Sequence, residues 1–193
     1  MDMNFNNVVQ DDNAPRDFSP IPDKTAVRCL MTIRPGGHGD GGFYKLSNNT
    51  GHKMLDCEFT VLAGQYAGRK FWDYLHCDPQ SGAHQISRRF IKNMIEDVRD
   101  IEAGDASENA NARRQLQSIS ELDKIEVCVR VKLETNEQYG DKNKIGFVLT
   151  KADRDYVPKT GVAQQAPVSV KAPHPVMAQP TQAPASPSWA PNG

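Results

Sequence analysis

The chain has almost no net charge: 23 Lys and Arg stand against 24 Asp and Glu, a formal −1 over 193 residues. A protein that grips duplex DNA by neutralising phosphates needs many cations on one face, so this balance argues against that mode. Single strands remain open to it, because binding there leans on base stacking and needs only a local basic groove. No apolar run reaches the 18 or so residues that span a bilayer. The N-terminal MDMNFNNVVQDD also lacks the charged-then-apolar pattern of an export signal. A soluble, unexported, cytoplasmic protein is the expectation. Four cysteines are present with no CxxC pair, and Cys29, Cys57 and Cys128 fall inside strand patterns, which points to reduced thiols.

Catalytic signatures are missing as well. There is no nucleophile elbow and no P-loop; the glycine-rich PGGHGDGG from Pro35 to Gly42 lacks a following GK[ST] and reads as a flexible loop. His76, Cys77, His84 and Cys57 match no common zinc spacing. Glu96, Asp97, Asp100 and Glu102 crowd one helix end but fan around it, the pattern of a solvated helix surface. A non-enzymatic protein without cofactor or metal is expected.

What the chain does carry is alternation. In LDCEFTVLAGQYAGRKFWDYLHC, Leu55, Cys57, Phe59 and Val61 take one strand face, and Asp56, Glu58 and Thr60 the other. After the Gly64 to Gly68 turn, Phe71, Asp73 and Leu75 oppose Lys70, Trp72, Tyr74 and His76. Periodicity does not choose the buried face. Either Trp72 and Tyr74 are core, or they stand on an open face beside Lys70, and Asp73 sharing a side with Phe71 and Leu75 counts against the second version.

Thr25 to Arg34 and Lys124 to Leu133 alternate in the same way, Lys144 to Lys151 follows the turn-rich NEQYGDKN, and Phe43 to Leu46 with His52 to Leu62 reads as a strand or bent strand pair. Between the third and fourth strands the period changes to about 3.6, with Ile86, Phe90, Ile91, Met94, Val98 and Ile101 on one helix face. A second short helix is expected through Ala110 to Leu116. Residues 1–24 are polar and broken by prolines, and 157–193 hold eight prolines among Ala, Gln and Ser. Both read as disordered flanks of a single domain at 25–156. The order predicts a mainly β fold, a five-stranded OB-fold-like barrel with one major helix between strands 3 and 4, of the kind whose face and loops bind oligonucleotides.

On such a barrel the candidate nucleic-acid-binding residues are the strand-borne cations Arg28, Arg34, Lys53, Arg69, Lys70, Arg130, Lys132, Lys142 and Lys144, with Trp72, Tyr74 and Tyr139 as stackers. Arg28, Arg130 and Lys132 are expected to project outward from two strands and line one groove.

The segments IPDKTAVRCLMTIRPGG, LDCEFTVLAGQYAGRKFWD, ISRRFIKNMIED and YGDKNKIGFVLTKADRDY resemble a family of small bacteriophage and prophage proteins, over roughly residues 20–156. Some of its members are OB-fold single-stranded DNA-binding proteins; others have no assigned function. The resemblance implies non-enzymatic protection of single strands in phage DNA replication or recombination, with a recombinase, primase or helicase as partner; homo-oligomers are common among such barrels. Many single-strand binders recruit partners through an acidic tail with a terminal Phe, whereas this chain ends SPSWAPNG. Trp189 is the candidate partner anchor in its place. The competing expectation is an interaction module that recruits a replication factor through the barrel or the Pro-rich tail.

Overall fold

A computed structural model describes residues 19–138 and 140–161. In chain order these form β1 (Ala26–Arg34), β2 (Tyr44–Leu46), β3 (Lys53–Val61), β4 (Lys70–His76), α1 (His84–Val98), α2 (Glu108–Arg113), β5 (Ile125–Glu134) and β6 (Lys142–Leu149). The fold is mainly β: six antiparallel strands in one open sheet, with one main helix. β3 is the hub. It pairs with β4 along one edge, and along the other with β1 through Asp56 to Val61 and then β2 through Lys53 to Leu55. β1 also pairs with β5, and β5 with β6.

Of the strand or bent strand pair expected there, the pair is what forms, β2 and β3 antiparallel across a turn, but the sheet is not closed into the expected barrel. β4 and β6 run in the same direction, side by side, without a backbone ladder between them. Unpaired strand edges leave backbone donors and acceptors that must find partners. Here side chains supply them. Asp73 Oδ2 accepts from Ile145 N at 2.9 Å, Asn93 Nδ2 donates to the Val148 carbonyl at 3.0 Å, and Ser87 Oγ accepts from His76 N at 2.8 Å. Two of these three residues lie on α1, so the helix covers the seam that the ladder leaves open.

The inward faces of the strands form the core: Cys29, Met31 and Ile33 of β1, Leu55, Cys57, Phe59 and Val61 of β3, Phe71 and Leu75 of β4, and Val127, Val129 and Val131 of β5. β6 needs an irregularity to join them. Arg130 pairs with Phe147 and Val131 with Ile145, so Gly146 is an extra residue, a β-bulge. The bulge lets Ile145 and Val148, three apart, share the inner face. A Cβ at Gly146 would lie 3.1 Å from the Arg130 carbonyl oxygen, which favours glycine there.

On α1, Met94 and Ile95 are buried as the helical period demands, but Ile86 is 53% exposed, against expectation. The inward position of that first turn belongs to Ser87, which is committed to His76 N. The short helix α2 overlaps the span anticipated for it but begins two residues earlier and ends at Arg113, and Ser107 caps it by accepting from Ala110 N. The glycine loop is bonded rather than loose: Gly36 N and Gly37 N both donate to the Gly42 carbonyl, and Asp40 Oδ2 accepts from Ile119 N at 2.9 Å. All four cysteines are free thiols.

Two acids expected on solvated helix surface are instead buried. Glu96 accepts from Arg114 Nε at 2.8 Å. Asp97, 2% exposed, pairs at 2.5 Å with Arg28, itself 1% exposed. Tyr156 OH donates to the other Asp97 oxygen at 2.6 Å, and Arg28 Nε donates to the Val157 carbonyl at 2.9 Å. Burial, then the Asp97 carboxylate, push the Tyr156 phenol up to about 12. Residues 157–161, on the tail side of the anticipated boundary, are thereby held on the body, with Thr160 N also donating to Glu126 Oε2 at 2.8 Å. On the arm side, Ile21 is buried in the core, and the Asn143 amide bonds both its N–H and its carbonyl at 2.8 Å.

Removing one member of a buried ion pair leaves an uncompensated charge, whereas replacing both with apolar groups is often neutral. Asp97→Ala is therefore expected to cost about 3–5 kcal/mol in urea denaturation, with most of it recovered in Arg28→Met/Asp97→Leu. A loss below about 1 kcal/mol in the single variant would show that the pair is not what joins α1 to β1.

Candidate nucleic-acid interface

Core packing decides the orientation of β4. Phe71 and Leu75 are 2% and 1% exposed, and the Phe71 ring stacks on Phe59 with centroids 5.1 Å apart. Trp72 and Tyr74, one residue out of phase, face away and are 43% and 38% exposed. Asp73, which weighed against this arrangement in the sequence, does not enter the core. Its carboxylate turns into the β4/β6 seam, where it accepts from Ile145 N and, at 3.2 Å, from Lys144 Nζ.

Cross-strand pairing sets the neighbours of the aromatic pair. Trp72 stands opposite Glu58 and donates Nε1–H to Glu58 Oε2 at 3.1 Å, while Lys70 Nζ donates to Oε1 at 2.7 Å. Tyr74 stands opposite Asp56, which receives Lys45 Nζ at 3.0 Å and Arg34 at 2.5 Å. Lys45 Nζ lies 5.4 Å and Lys144 Nζ 5.7 Å from the centre of the Tyr74 ring, so the ring sits between two ammonium groups within cation–π range. The result is a surface strip with two aromatic rings and four cations: Arg34, Lys45, Lys70 and Lys144.

Each acid below the strip is tuned by its cations. Burial pushes the Asp56 carboxyl up, but the hydrogen bonds and charges of Arg34 and Lys45 outweigh it and hold the group below the usual carboxylate range. Glu58 is lowered chiefly by its bond from Lys70. The cation partners are nevertheless well exposed, with the Lys70 side chain at 50% and Arg34 at 48%. Exposed ion pairs contribute only about 0–1 kcal/mol, so an incoming phosphate can draw Lys70 from Glu58 at small cost, while at Arg34 and Lys45 it adds to the buried Asp56 carboxylate rather than replacing it.

The strip unites five of the residues singled out from sequence: Arg34, Lys70, Trp72, Tyr74 and Lys144. The rest are dispersed. Lys53 stands over Tyr44 at 5.8 Å, and Arg69, on the β3–β4 turn, over Tyr66 at 6.0 Å while also donating to the Ser19 carbonyl. Arg130 and Lys132 lie on the outer side of β5, with Arg130 bonded to Asp155 at 2.8 Å, and Lys142 begins β6 opposite Glu134. Arg28 corrects the expectation of an outward cation: it is on the outer face of β1, but Asp97, Tyr156 and Val157 cover it. Tyr139 and Trp189 lie outside the described residues.

Lys45 was missed. Its signal was there in the alternation Tyr44-Lys45-Leu46, but only the placement of β2 in line with β1, along the same edge of β3, brings it to Tyr74. Among the described residues, no three His, Cys, Asp or Glu side chains are grouped so as to hold a metal ion. No protein-family model matches the chain, and no curated protein shows a significant match to it.

A carboxyl held below its ordinary value stabilises the fold above the unfolded value of about 3.9, and this contribution is lost as pH falls through the folded value. Asp56→Asn is therefore expected to lower Tm at pH 7, with the gap from the parent protein closing below about pH 4. A gap that stays constant between pH 7 and pH 3 would contradict the charged contact with Arg34 and Lys45.

Proposed function

We propose that the protein binds single-stranded DNA, with bases stacking on Trp72 and Tyr74 and phosphates bound by Arg34, Lys45, Lys70 and Lys144. The observation that carries this reading is the outward pair of large aromatics, both more than a third exposed, on a regular strand flanked by cations. A fold hides such rings when it can, because each buries a large apolar area. Left on a rigid sheet, they offer π-faces at little entropic cost, and stacking on such a platform is worth about 1–3 kcal/mol per base.

Strand order supports the fold half of the proposal. Starting from β1, the neighbours run β3, β4 on one side and β5, β6 on the other, with a helix between the third and fourth long strands, the sequence of elements of an OB-fold. The β4/β6 seam would be the place where this barrel stays unzipped. The resemblance to phage and prophage proteins supplies the setting we propose, protection of single strands during replication or recombination. A second reading, a protein-binding face, draws on the carboxylates of Asp56 and Glu58 beneath the strip, beside which an acidic ligand must sit.

Titration of fluorescein-labelled oligo-dT against a matched duplex separates the two. The single strand is expected to bind more tightly, with Trp72→Ala and Tyr74→Ala each raising Kd by a factor of about 5–150 at unchanged Tm. With four phosphates engaged, log K should fall against log salt with a slope of about −3. Absence of binding at low salt would refute DNA recognition and leave the protein-binding face.

A further inference from the structure

Beside the strip, on the outer side of β5 and β6, lies an open groove of about 590 Å³, lined by Lys24, Arg130, Lys132, Gly146 and Phe147 with Asp23 and Asp155 at its margin. Gly146, the residue of the β-bulge, lines it without a side chain. Phe147 is directed outward opposite Arg130 and is half-buried, so one part of an aromatic side chain remains accessible at the groove. Lys24 and Lys132 are exposed. The two acids are engaged with the protein: Asp23 Oδ1 accepts from Leu133 N at 3.0 Å, and Asp155 bonds Arg130 across a pair whose side chains are 50% and 36% exposed.

The groove is joined to the strip. Lys132 is the direct cross-strand partner of Lys144, and Lys144 reaches over the seam to within 5.7 Å of the Tyr74 ring centre. Lys24 follows on the far side, where its N–H donates to the Val131 carbonyl at 2.8 Å. Tyr74, Lys144, Lys132 and Lys24 therefore form a row across the strands. At about 4.8 Å for each hydrogen-bonded step, and no less across the unpaired seam, the row is at least about 15 Å long. That matches about four stacked nucleotides at 3.4 Å each.

We propose that this groove is a second subsite for the same single strand: the strand leaves Trp72 and Tyr74, crosses the open β4/β6 seam over Lys144 and Lys132, and seats a further base against Phe147. The subsite rests on the single-strand reading above, and it gives the unzipped seam a use. A closed barrel would carry a backbone ladder there; the open one has a cation standing in the gap, at the point where the phosphate chain must cross. The path runs transverse to the strands.

Comparing dT4 with dT8 by fluorescence polarisation tests the path. Stacked on both Trp72 and Tyr74, four nucleotides extend about 7 Å past Tyr74, over Lys144 but short of Lys132, whereas eight cover the row and reach the groove. The intact protein is expected to bind dT8 at least about thirty-fold more tightly than dT4. In Phe147→Ala, and independently in Lys132→Glu, whose side chain is exposed and not needed for packing, the gain should shrink to the roughly fivefold that extra registers on the longer strand provide. Trp72→Ala should weaken both lengths alike. A full length-gain in both groove variants would overturn the subsite while leaving the strip as the binding face. Failure of the intact protein to bind either oligonucleotide would overturn the subsite together with the reading beneath it.

Discussion

The carboxylate of Asp73 is the contact on which the arrangement turns. It sits in the middle of β4, on the side of the strand that should enter the core, yet it is spent on Ile145 N and Lys144 Nζ across a seam without a ladder. By filling one backbone donor of β6 it does locally what a strand pairing would do. It fits the phase of β4 that Phe71 and Leu75 set in the core, which leaves Trp72 and Tyr74 the outer face. And it holds Lys144 beside Tyr74. Edge satisfaction and the charge next to the exposed ring both follow from this one side chain.

A second constraint works from the opposite side of the sheet. Arg28 and Asp97 are buried together and carry Tyr156 and Val157 with them, so β1, the end of α1 and the segment after β6 meet at one ion pair. The chemistry that made Arg28 attractive as a nucleic-acid ligand is consumed in holding the fold. The protein thus divides its cations: Arg28, covered by its partners, stabilises the body, and Arg34, Lys45, Lys70 and Lys144 stand around the aromatics with side chains 26–50% exposed.

The parts legible in the sequence were those governed by local periodicity. The alternations of Thr25 to Arg34, Leu55 to Val61 and Lys124 to Leu133, and the 3.6-residue stripe through Met94, each reappear as the strand or helix they imply. What escaped depended on partners far along the chain. Nothing near Asp97 announces that Arg28, 69 residues earlier, will bury it. Nothing near Lys45 says that β2 will lie in line with β1. The bulge at Gly146 and the open seam come from how β5, β6 and β4 meet, which no single segment encodes. The face of Trp72 and Tyr74 was half legible: alternation put them together, and the packing of Phe71 on Phe59 directed them outward.

The central claim is that this outward face is a base-stacking surface. It is tested most directly at the Trp72 indole, in a Trp189→Phe protein in which Trp72 is the sole tryptophan. Adding oligo-dT at low salt should quench its emission saturably, and raising the salt concentration should restore it. If Trp72 emission stays unchanged while oligo-dT is bound, or the same quenching appears with duplex DNA, the account of this face is contradicted.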